Sequence, residues 1–334
     1  MAITNLTDLQ IREDRLYSLF VNETIQKANI FNAISNGSIV LDFGSYSGFF
    51  AKTSQIEEPA NIISRQDTTS NADRTGIKHT ETNVSHVKLK RKLGPYEITD
   101  NSILEKDEVY SVGLVESLVS RFFSKALLLD QKDVALKLTQ ALIQKDAANK
   151  VHQTRTTFKP TDLIRGRKFY GVNSELWRST VMHSDFVADG LEQMYNDKSG
   201  LSLLALDQGV LLGLRRPILE YEGTQLDVAV ADSVEAGNQA GRNILFLPQN
   251  AIIVTQKNIP QIVVSRIVGK EQLGYRFEAE VTYTVSPKQH EWTKTFAAGD
   301  NNPTDTVLNT GANWTERAKS KVGSIGFAIQ VENS

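Results

Sequence analysis

Three residue types that perform acyl transfer stand side by side near the middle of the chain, at His183, Ser184 and Asp185. Adjacent side chains cannot easily line up in a nucleophile–base–carboxylate relay, and working triads are assembled from residues that are distant in sequence. No G-x-S-x-G elbow surrounds Ser184. An α/β hydrolase or transferase centred on His183 and Ser184 is therefore kept as the enzyme alternative and is not the favoured interpretation.

The same residues have a structural role available to them. The segment WRSTVM predicts a strand, and DFVADGLEQMY predicts the helix that follows it. Ser184 then occupies the N-cap position, where its hydroxyl accepts a hydrogen bond from a backbone amide. Asp185 lies in the first turn, where a carboxylate interacts favourably with the helix dipole. A helix start accounts for both residues without any chemistry.

The other residue types that support catalysis or ligand binding do not form a recognisable site. The histidines are His79, His86, His152, His183 and His290. They form no H-E-x-x-H motif, and no glycine-rich segment has the pattern of a phosphate loop. The two in the polar segment before residue 93 are expected to be solvated. Because the chain has no cysteine, thiolate nucleophiles and cysteine-ligated metals are excluded. The sequence predicts no enzyme activity, no cofactor and no metal.

One run of basic residues stands out in a segment predicted to be a strand of a β-hairpin. It comprises Lys88, Lys90, Arg91 and Lys92, with Arg65, Arg74 and Lys78 nearby. Lysines along an exposed strand block edge-to-edge aggregation, so the run is consistent with a solvated edge strand. It is equally consistent with a contact between subunits, in which these cations meet carboxylates of a neighbouring copy. Nucleic-acid binding is a weaker third interpretation, because no aromatic residues accompany the run.

Length and composition indicate a folded protein with a near-neutral charge. The chain has 334 residues, of which 40% are hydrophobic, and these values favour two domains with substantial cores. A formal net charge of -2 argues against a dedicated nucleic-acid binder and suits a protein that packs against copies of itself. We expect no secretory signal and no membrane span.

The first half of the chain predicts an elongated subunit. Residues 1–48 predict an arm with a short helix, an Asn-Gly turn and a brief strand. Residues 49–92 are polar and predict a long exposed β-hairpin with its tip near TTSNADRTG. The segment GPYEITD interrupts this pattern, and a long helix begins near Asp107 and runs to Ala147 unless LLLDQKD breaks it. A helix of about 40 residues spans about 60 Å, which is too long for the interior of a compact domain.

From Val151 onward the chain alternates predicted strands with short helices. Apolar residues alternate in TQLDVAVAD, Pro248 divides NILFLPQNAIIVTQ into two strands, and VGSIGFAIQVE predicts a strand near the end. The segment YRFEAEVTYTVSP alternates strictly and predicts a half-exposed antiparallel strand.

This order of elements, together with several short motifs, resembles the major capsid proteins of tailed phages, whose fold is named for phage Hong Kong 97. STVMHSDFVADGL is similar to a strand-to-helix segment of that family, and GTQLDVAVADS and NILFLPQNAIIV are similar to two of its strands. SPKQHEWTKTF and NNPTDTVLNTGANW resemble the family's tail. Each motif is short, but together they span nearly the whole chain. Lys288-Gln289-His290 departs from the family at a turn where glycine is common.

The resemblance implies an α+β fold of the Hong Kong 97 type. The implied parts are an N-terminal arm at 1–48, an extended loop at 49–92, a peripheral domain with a spine helix at 93–150 and 258–286, and an α/β axial domain with the C-terminal tail at 151–257 and 287–334. In such a subunit the extended loop lies over the next subunit and the arm clasps neighbouring copies.

The resemblance also implies a function. The chain would be a structural major capsid protein, not an enzyme, that self-assembles through pentamers and hexamers into an icosahedral shell around double-stranded DNA. Implied partners are the chain itself, a portal protein, and scaffold or decoration proteins. The packaged DNA would be contacted non-specifically and no membrane would be bound. Assembly would occur in the host cytoplasm and the product would be the virion. Encapsulin nanocompartment shells resemble the same fold and are the shell-forming alternative, whereas the long helix argues against a sheet-rich carbohydrate-binding module.

Overall fold

The computed structural model describes residues 13–43, 50–56, 81–99, 112–153, 168–183, 218–221, 241–257, 262–267, 274–295, 302–317 and 324–332. The α-helices are α1 (Glu13–Ile34), α2 (Val112–Lys145), α3 (Ala147–Lys150) and α4 (Asp305–Leu308). The strands are β1 (Ile39–Phe43), β2 (Phe50–Ile56), β3 (Glu81–Thr99), β4 (Val151–Gln153), β5 (Trp177–His183), β6 (Ile218–Tyr221), β7 (Gly241–Pro248), β8 (Ile252–Gln256), β9 (Val263–Ile267), β10 (Gly274–Pro287), β11 (His290–Trp292), β12 (Trp314–Glu316) and β13 (Phe327–Glu332). Two 3₁₀ turns cover Gly171–Leu176 and Gly311–Asn313.

The strands form two main sheets and a short ribbon. The first sheet has the order β1-β8-β10-β3-β2, with β9 also paired to β10, and only the β1–β8 pair among the described strands is parallel in it. The second has the order β4-β13-β7-β5-β6. Strands β11 and β12 form the ribbon. The chain passes from the second sheet to the first between Pro248 and Ile252, through a turn in which Asn250 has a φ of 53°.

Helix α2 is the spine of the molecule. Its 34 residues span about 50 Å at 1.5 Å per residue. The predicted long helix is thus present, and the helix does not break at LLLDQKD. Two polar residues of that segment contact the first sheet instead: the Tyr283 hydroxyl donates to Asp130 Oδ2 at 2.5 Å, and Gln131 Nε2 donates to Gln256 Oε1 at 3.0 Å. The predicted start near Asp107 lies outside the described residues.

Helix α1 is much longer than the short helix that the sequence predicts, because it has a long-range partner. It runs for 22 residues and packs along α2. Its buried positions recur every four residues, at Leu16, Phe20, Thr24 and Ala28. The apolar positions on which the sequence prediction rested lie partly elsewhere, since Ile30 is 61% exposed. Polar contacts join the two helices: Arg15 Nε is 3.3 Å from Glu116 Oε2, and Lys27 Nζ donates to Ser124 Oγ at 2.6 Å.

The predicted turn and brief strand after α1 are confirmed. Asn36 and Gly37 have φ values of 50° and 71°, and β1 follows at Ile39–Phe43. The turn also joins the two sheets through β5. Asn36 Nδ2 donates to the carbonyl of Arg178 at 3.1 Å, and Ser38 Oγ lies 2.5 Å from Ser179 Oγ.

The two strands of the predicted hairpin pair as expected, but the return strand β3 is not an exposed edge strand. β2 and β3 pair antiparallel from Phe50↔Val87 to Ile56↔Glu81, and the predicted tip lies outside the described residues. β3 also pairs with β10 and lies inside the first sheet. Val87 and Leu89 are therefore buried at 1% and 0% exposure. Although most residues of this segment are polar, its apolar residues Val87 and Leu89 face the core.

The segment GPYEIT continues β3 and does not interrupt the pattern. A register shift between Phe277 and Ala279 of β10 lies opposite Gly94 and Pro95. Gly94 has a φ of +89°, and a Cβ atom there would lie 2.5 Å from the carbonyl oxygen of Phe277. A glycine is required at this irregularity because other residues rarely adopt that backbone conformation.

The later strand predictions are confirmed where the structure describes them. WRSTVMH forms β5, Pro248 separates β7 from β8, YRFEAEVTYTVSP lies within β10, and FAIQVE forms β13. TQLDVAVAD lies outside the described residues. One apolar cluster joins both sheets to the spine, with Phe20, Leu89, Leu138, Leu245 and Tyr283 among its members. None of the described helices has a stretch long and apolar enough to cross a membrane.

Candidate functional site

The basic run lies on β3, and strand geometry divides it between two faces of the first sheet. Successive side chains of a strand point to opposite faces. Lys88, Lys90 and Lys92 therefore share one face, and Arg91 shares the other with Leu89. Leu89 is paired with Tyr283 and both are fully buried. The four cations are nearly consecutive in sequence and were predicted to act together, but the sheet places Arg91 on the opposite face from the three lysines.

Arg91 forms a network of contacts within its own chain. Its Nε lies 3.3 Å from Asp130 Oδ2 on the spine and 3.3 Å from the Tyr283 hydroxyl, and its guanidinium also pairs with Asp305. Burial, and then the charge of Asp130, raise the pKa of Tyr283 above its usual value, so this hydroxyl stays protonated and donates to Asp130. The network joins β3, α2, β10 and α4.

The lysine face instead carries an exposed cation on each side of β10, Lys90 on β3 and Lys257 just after β8. Thr282 of β10 is paired with Lys90, and Lys257 donates its backbone N–H to the Thr282 carbonyl at 3.1 Å. Residues opposite one another on adjacent strands share a face. Lys90 and Lys257 are exposed, and neither forms an ion pair with any residue that the structure describes. We call Lys90, Thr282 and Lys257 the lysine row.

The two remaining described lysines of the run flank this row. Lys88 is 8% exposed, and burial followed by the nearby charge of Lys257 lowers its pKa. The charges of Lys88 and Lys257 therefore repel each other. Lys92 Nζ is 3.8 Å from Glu278 Oε2, a long and exposed pair that contributes little. The exposed Lys90 and Lys257 thus give this face of the sheet a cationic surface, with the buried charge of Lys88 nearby.

The structure thus changes the membership of the predicted site. Lys257 belongs to the cationic surface, although it lies far from the run in sequence and no local pattern indicates it. Only the pairing of β10 with both β3 and β8 brings it there. Arg65, Arg74 and Lys78 lie outside the described residues, so their position relative to the row stays a prediction.

The structure describes only the first residue of the His183, Ser184 and Asp185 group. β5 ends at His183, whose partner in the register is Tyr221 of β6, and Ser184 and Asp185 lie outside the described residues. His290 is fully buried and its Nδ1 donates to the Lys288 carbonyl at 2.7 Å. Over the part of the chain that the structure describes, no cluster of histidine and carboxylate side chains could hold a metal ion.

His86 is buried, contrary to the expectation of a solvated side chain. It is 4% exposed because β3 lies within the sheet and contacts β11. Burial lowers the pKa of His86 to about 4, although the nearby charge of Glu291 acts in the opposite direction. The folded protein therefore keeps this imidazole neutral under conditions where an unfolded chain protonates it.

This burial should make the subunit sensitive to acid. The pKa of histidine in the unfolded chain is about 6.5, so as the pH falls the unfolded state binds the proton first. The free energy of unfolding is unaffected by His86 above about pH 7.5 and should lose about 3 kcal/mol by pH 4 through this residue. Urea unfolding of unassembled subunits at several pH values, compared with His86→Asn, measures the effect. Identical pH dependence in the two proteins would contradict it.

The sequence and the fold of the chain are similar to those of known proteins. The model of the family described as "Major capsid protein 13-like" matches residues 8–325. The capsid of Helicobacter pylori bacteriophage KHP30, described as acid-stable, contains a similar chain with 10% identity, 88% of each chain covered and a TM-score of 0.50. A chain of the mature capsid of bacteriophage PhiM1 is 10% identical, with 89% of this chain and 86% of that chain covered and a TM-score of 0.47. The KHP30 match shows a shared fold. No curated protein matches the sequence.

Proposed function

The chain belongs to the major capsid protein 13-like family, and from that premise we propose that it builds the icosahedral shell of a tailed phage from pentamers and hexamers around double-stranded DNA. Membership makes it a structural, shell-forming protein of the virion capsid, with the α+β capsid fold. The match over residues 8–325 is the observation that carries the proposal. Neither the encapsulin alternative nor the hydrolase centred on His183 and Ser184 gains support from any comparison.

The proposal assigns parts of the subunit to parts of the shell. The first sheet and spine α2 are assigned to the peripheral domain, and the second sheet to the axial domain around the symmetry axes. This division departs from the ranges expected from the resemblance at two strands. β8 (Ile252–Gln256), expected in the axial domain, and β1 (Ile39–Phe43), expected in the arm, pair within the first sheet and are assigned to the peripheral part. β2 and the part of β3 before residue 93 stay with the extended loop. The arm with α1 and the extended loop carrying β2 are assigned to contacts with neighbouring subunits.

The lysine row is the surface we propose for contact with a neighbour's carboxylates. Lys90 and Lys257 are exposed cations without an ion pair among the described residues, and a chain of net charge -2 offers carboxylates in excess. Lys88, Lys92, Arg65, Arg74 and Lys78 are proposed to extend this contact. Arg91 is left out because its guanidinium is bound within the subunit.

We further propose that the partners are other copies of the chain, a portal protein, and scaffold or decoration proteins, and that the packaged DNA is contacted without sequence specificity. Assembly takes place in the cytoplasm of the host. The chain performs no catalysis, because a shell protein of this family acts through its contacts.

Purified protein is expected to assemble on its own into shells, tubes or capsomers. The arm helix α1 leaves Ile30 and Ile34 at 61% and 52% exposure, and such apolar side chains gain partners from other copies. Light scattering and electron microscopy over a range of protein and salt concentrations test this directly. A protein that stays monomeric at every concentration contradicts the proposed function, and an activity-based probe that labels Ser184 would support the hydrolase instead.

A further inference from the structure

The side chain of Asn302 binds the backbone of β3 in the way that another strand would. The Lys90 N–H donates to Asn302 Oδ1 at 2.9 Å, and Asn302 Nδ2 donates to the Lys90 carbonyl at 3.1 Å. A primary amide carries an acceptor oxygen and an NH₂ donor side by side, so it can bond to the N–H and the carbonyl of one residue together. Asn302 therefore satisfies both backbone groups of Lys90 at once.

This contact lies at the base of the hairpin. Along an antiparallel pair, residues whose N–H and carbonyl bond to the facing strand alternate with residues whose groups point away from it. Lys90, paired with Thr282 of β10, is of the second kind, because both of its backbone groups bond to Asn302. That edge of β3 is the one on which β2 pairs from Val87 to Glu81. Asn302 thus occupies the edge of β3 near the position where pairing with β2 begins.

A second contact holds the same segment to β3. Asp305 pairs with Arg91, the residue next to Lys90, and begins the short helix α4. The Thr304 side chain caps this helix by accepting from the Val307 amide at 3.4 Å. Leu308 at its end is fully buried, so the segment is anchored in the core. We call residues 302–305 the strap.

We propose that the strap fixes the base of the β2–β3 hairpin and sets the direction in which the hairpin leaves the sheet. With both groups of Lys90 bound to Asn302, no strand can pair with that residue, so pairing along this edge of β3 stops before Lys90. The Arg91–Asp305 pair stops β3 from sliding against the tail. This proposal rests on the proposed function only for its consequence, which is that the hairpin meets a neighbouring subunit at a defined angle.

Hydrogen exchange on the full chain tests the strap. Asn302→Ala should accelerate exchange of the Lys90 amide and of the amides in the β2–β3 pairs by about 10-fold, because two hydrogen bonds to the Lys90 backbone are lost. Amides of α2 and of the second sheet should be unchanged. Asn302→Asp keeps the acceptor for the Lys90 N–H but faces its carbonyl with a carboxylate, and should give an intermediate effect. Thr306→Ala, an exposed change within α4, is the matched control.

The outcomes separate the strap from general stability and from the proposed function. Unchanged exchange in the hairpin overturns the proposal, and so does equal acceleration of every amide, since Asn302 would then stabilise the whole fold and not the hairpin base. Assembly is measured separately by electron microscopy. Faster exchange confined to the hairpin, with normal shells, supports the strap and contradicts a role of the hairpin angle in assembly. A wild-type protein that never assembles contradicts the proposed function while leaving the exchange result valid.

Discussion

Replacing both Lys90 and Lys257 by Glu should leave the subunit folded but prevent it from forming shells. Both side chains are exposed and neither pairs with a described carboxylate, so the change removes no described contact within the subunit. The Lys90 backbone keeps its bonds to Asn302, because they do not involve the side chain. Between subunits, two attractions become repulsions. Each exposed pair contributes only about 0–1 kcal/mol. Because a shell repeats every contact many times, a small change in free energy per contact becomes large for the whole assembly.

A matched control separates the lysine row from bulk charge. Each Lys→Glu change lowers the net charge by two, so the double variant moves from -2 to -6. Lys125→Glu with Lys294→Glu changes the charge equally at two other exposed positions. Circular dichroism reports folding, and sedimentation with electron microscopy reports assembly. High salt should weaken assembly of the unmodified protein by screening the same contact. Normal assembly of the Lys90 and Lys257 variant would show that the row is only a solvated sheet face.

Arg91 is kept in this experiment for a structural reason. Its guanidinium pairs with Asp130 and Asp305, and Arg91→Glu would place a third carboxylate between them. Such a variant would lose stability whether or not β3 touches a neighbour. A charge reversal that includes Arg91 therefore could not distinguish a folding defect from an assembly defect.

Trp314→Ala should strongly lower the free energy of unfolding of the subunit. The indole is fully buried, its ring meets that of Trp292 at 5.0 Å and 82°, and its Nε1 donates to the Leu308 carbonyl at 2.9 Å. The Trp314 carbonyl also accepts from Lys145 at the end of the spine. Removing a buried tryptophan side chain costs about 3–5 kcal/mol.

Denaturant unfolding of unassembled subunits measures this loss, with Trp314→Phe as the control. Phenylalanine keeps an aromatic contact with Trp292 but loses the indole hydrogen bond, and it should cost clearly less than alanine. Because the ribbon of β11 and β12 packs beside the end of α2, hydrogen exchange at Lys145 and its neighbours should also accelerate in the alanine variant. A loss below about 1 kcal/mol for Trp314→Ala would mean that the site collapses around the missing ring, and would contradict the expectation.

The elements of this protein could largely be predicted from local pattern. The strict alternation in YRFEAEVTYTVSP predicted β10, and the long proline-free run predicted the spine α2. These features are local, because side-chain periodicity and the absence of helix breakers act within one element. The tail motifs supported the capsid resemblance, which the family match confirms. The length of α1 could have been found as well, since Leu16, Phe20 and Ala28 recur at four-residue steps.

The partners of those elements were decided only by the tertiary structure. Alternation along β3 shows that Lys90 and Arg91 face opposite sides, but not which side is covered. Pairing with β10 on one edge and packing against α2 placed Arg91 between Asp130 and Asp305 and left Lys90 exposed beside Lys257. His86 became buried for the same reason. Which strands become neighbours depends on contacts between residues far apart in sequence, so the residue pattern within one strand does not specify its partners. The sequence by itself thus determined most of the described strands, the spine helix and the resemblance to a capsid family, because these depend on local pattern. Only the folded sheet decided which of the described cations are exposed on the lysine face and which are bound within the subunit.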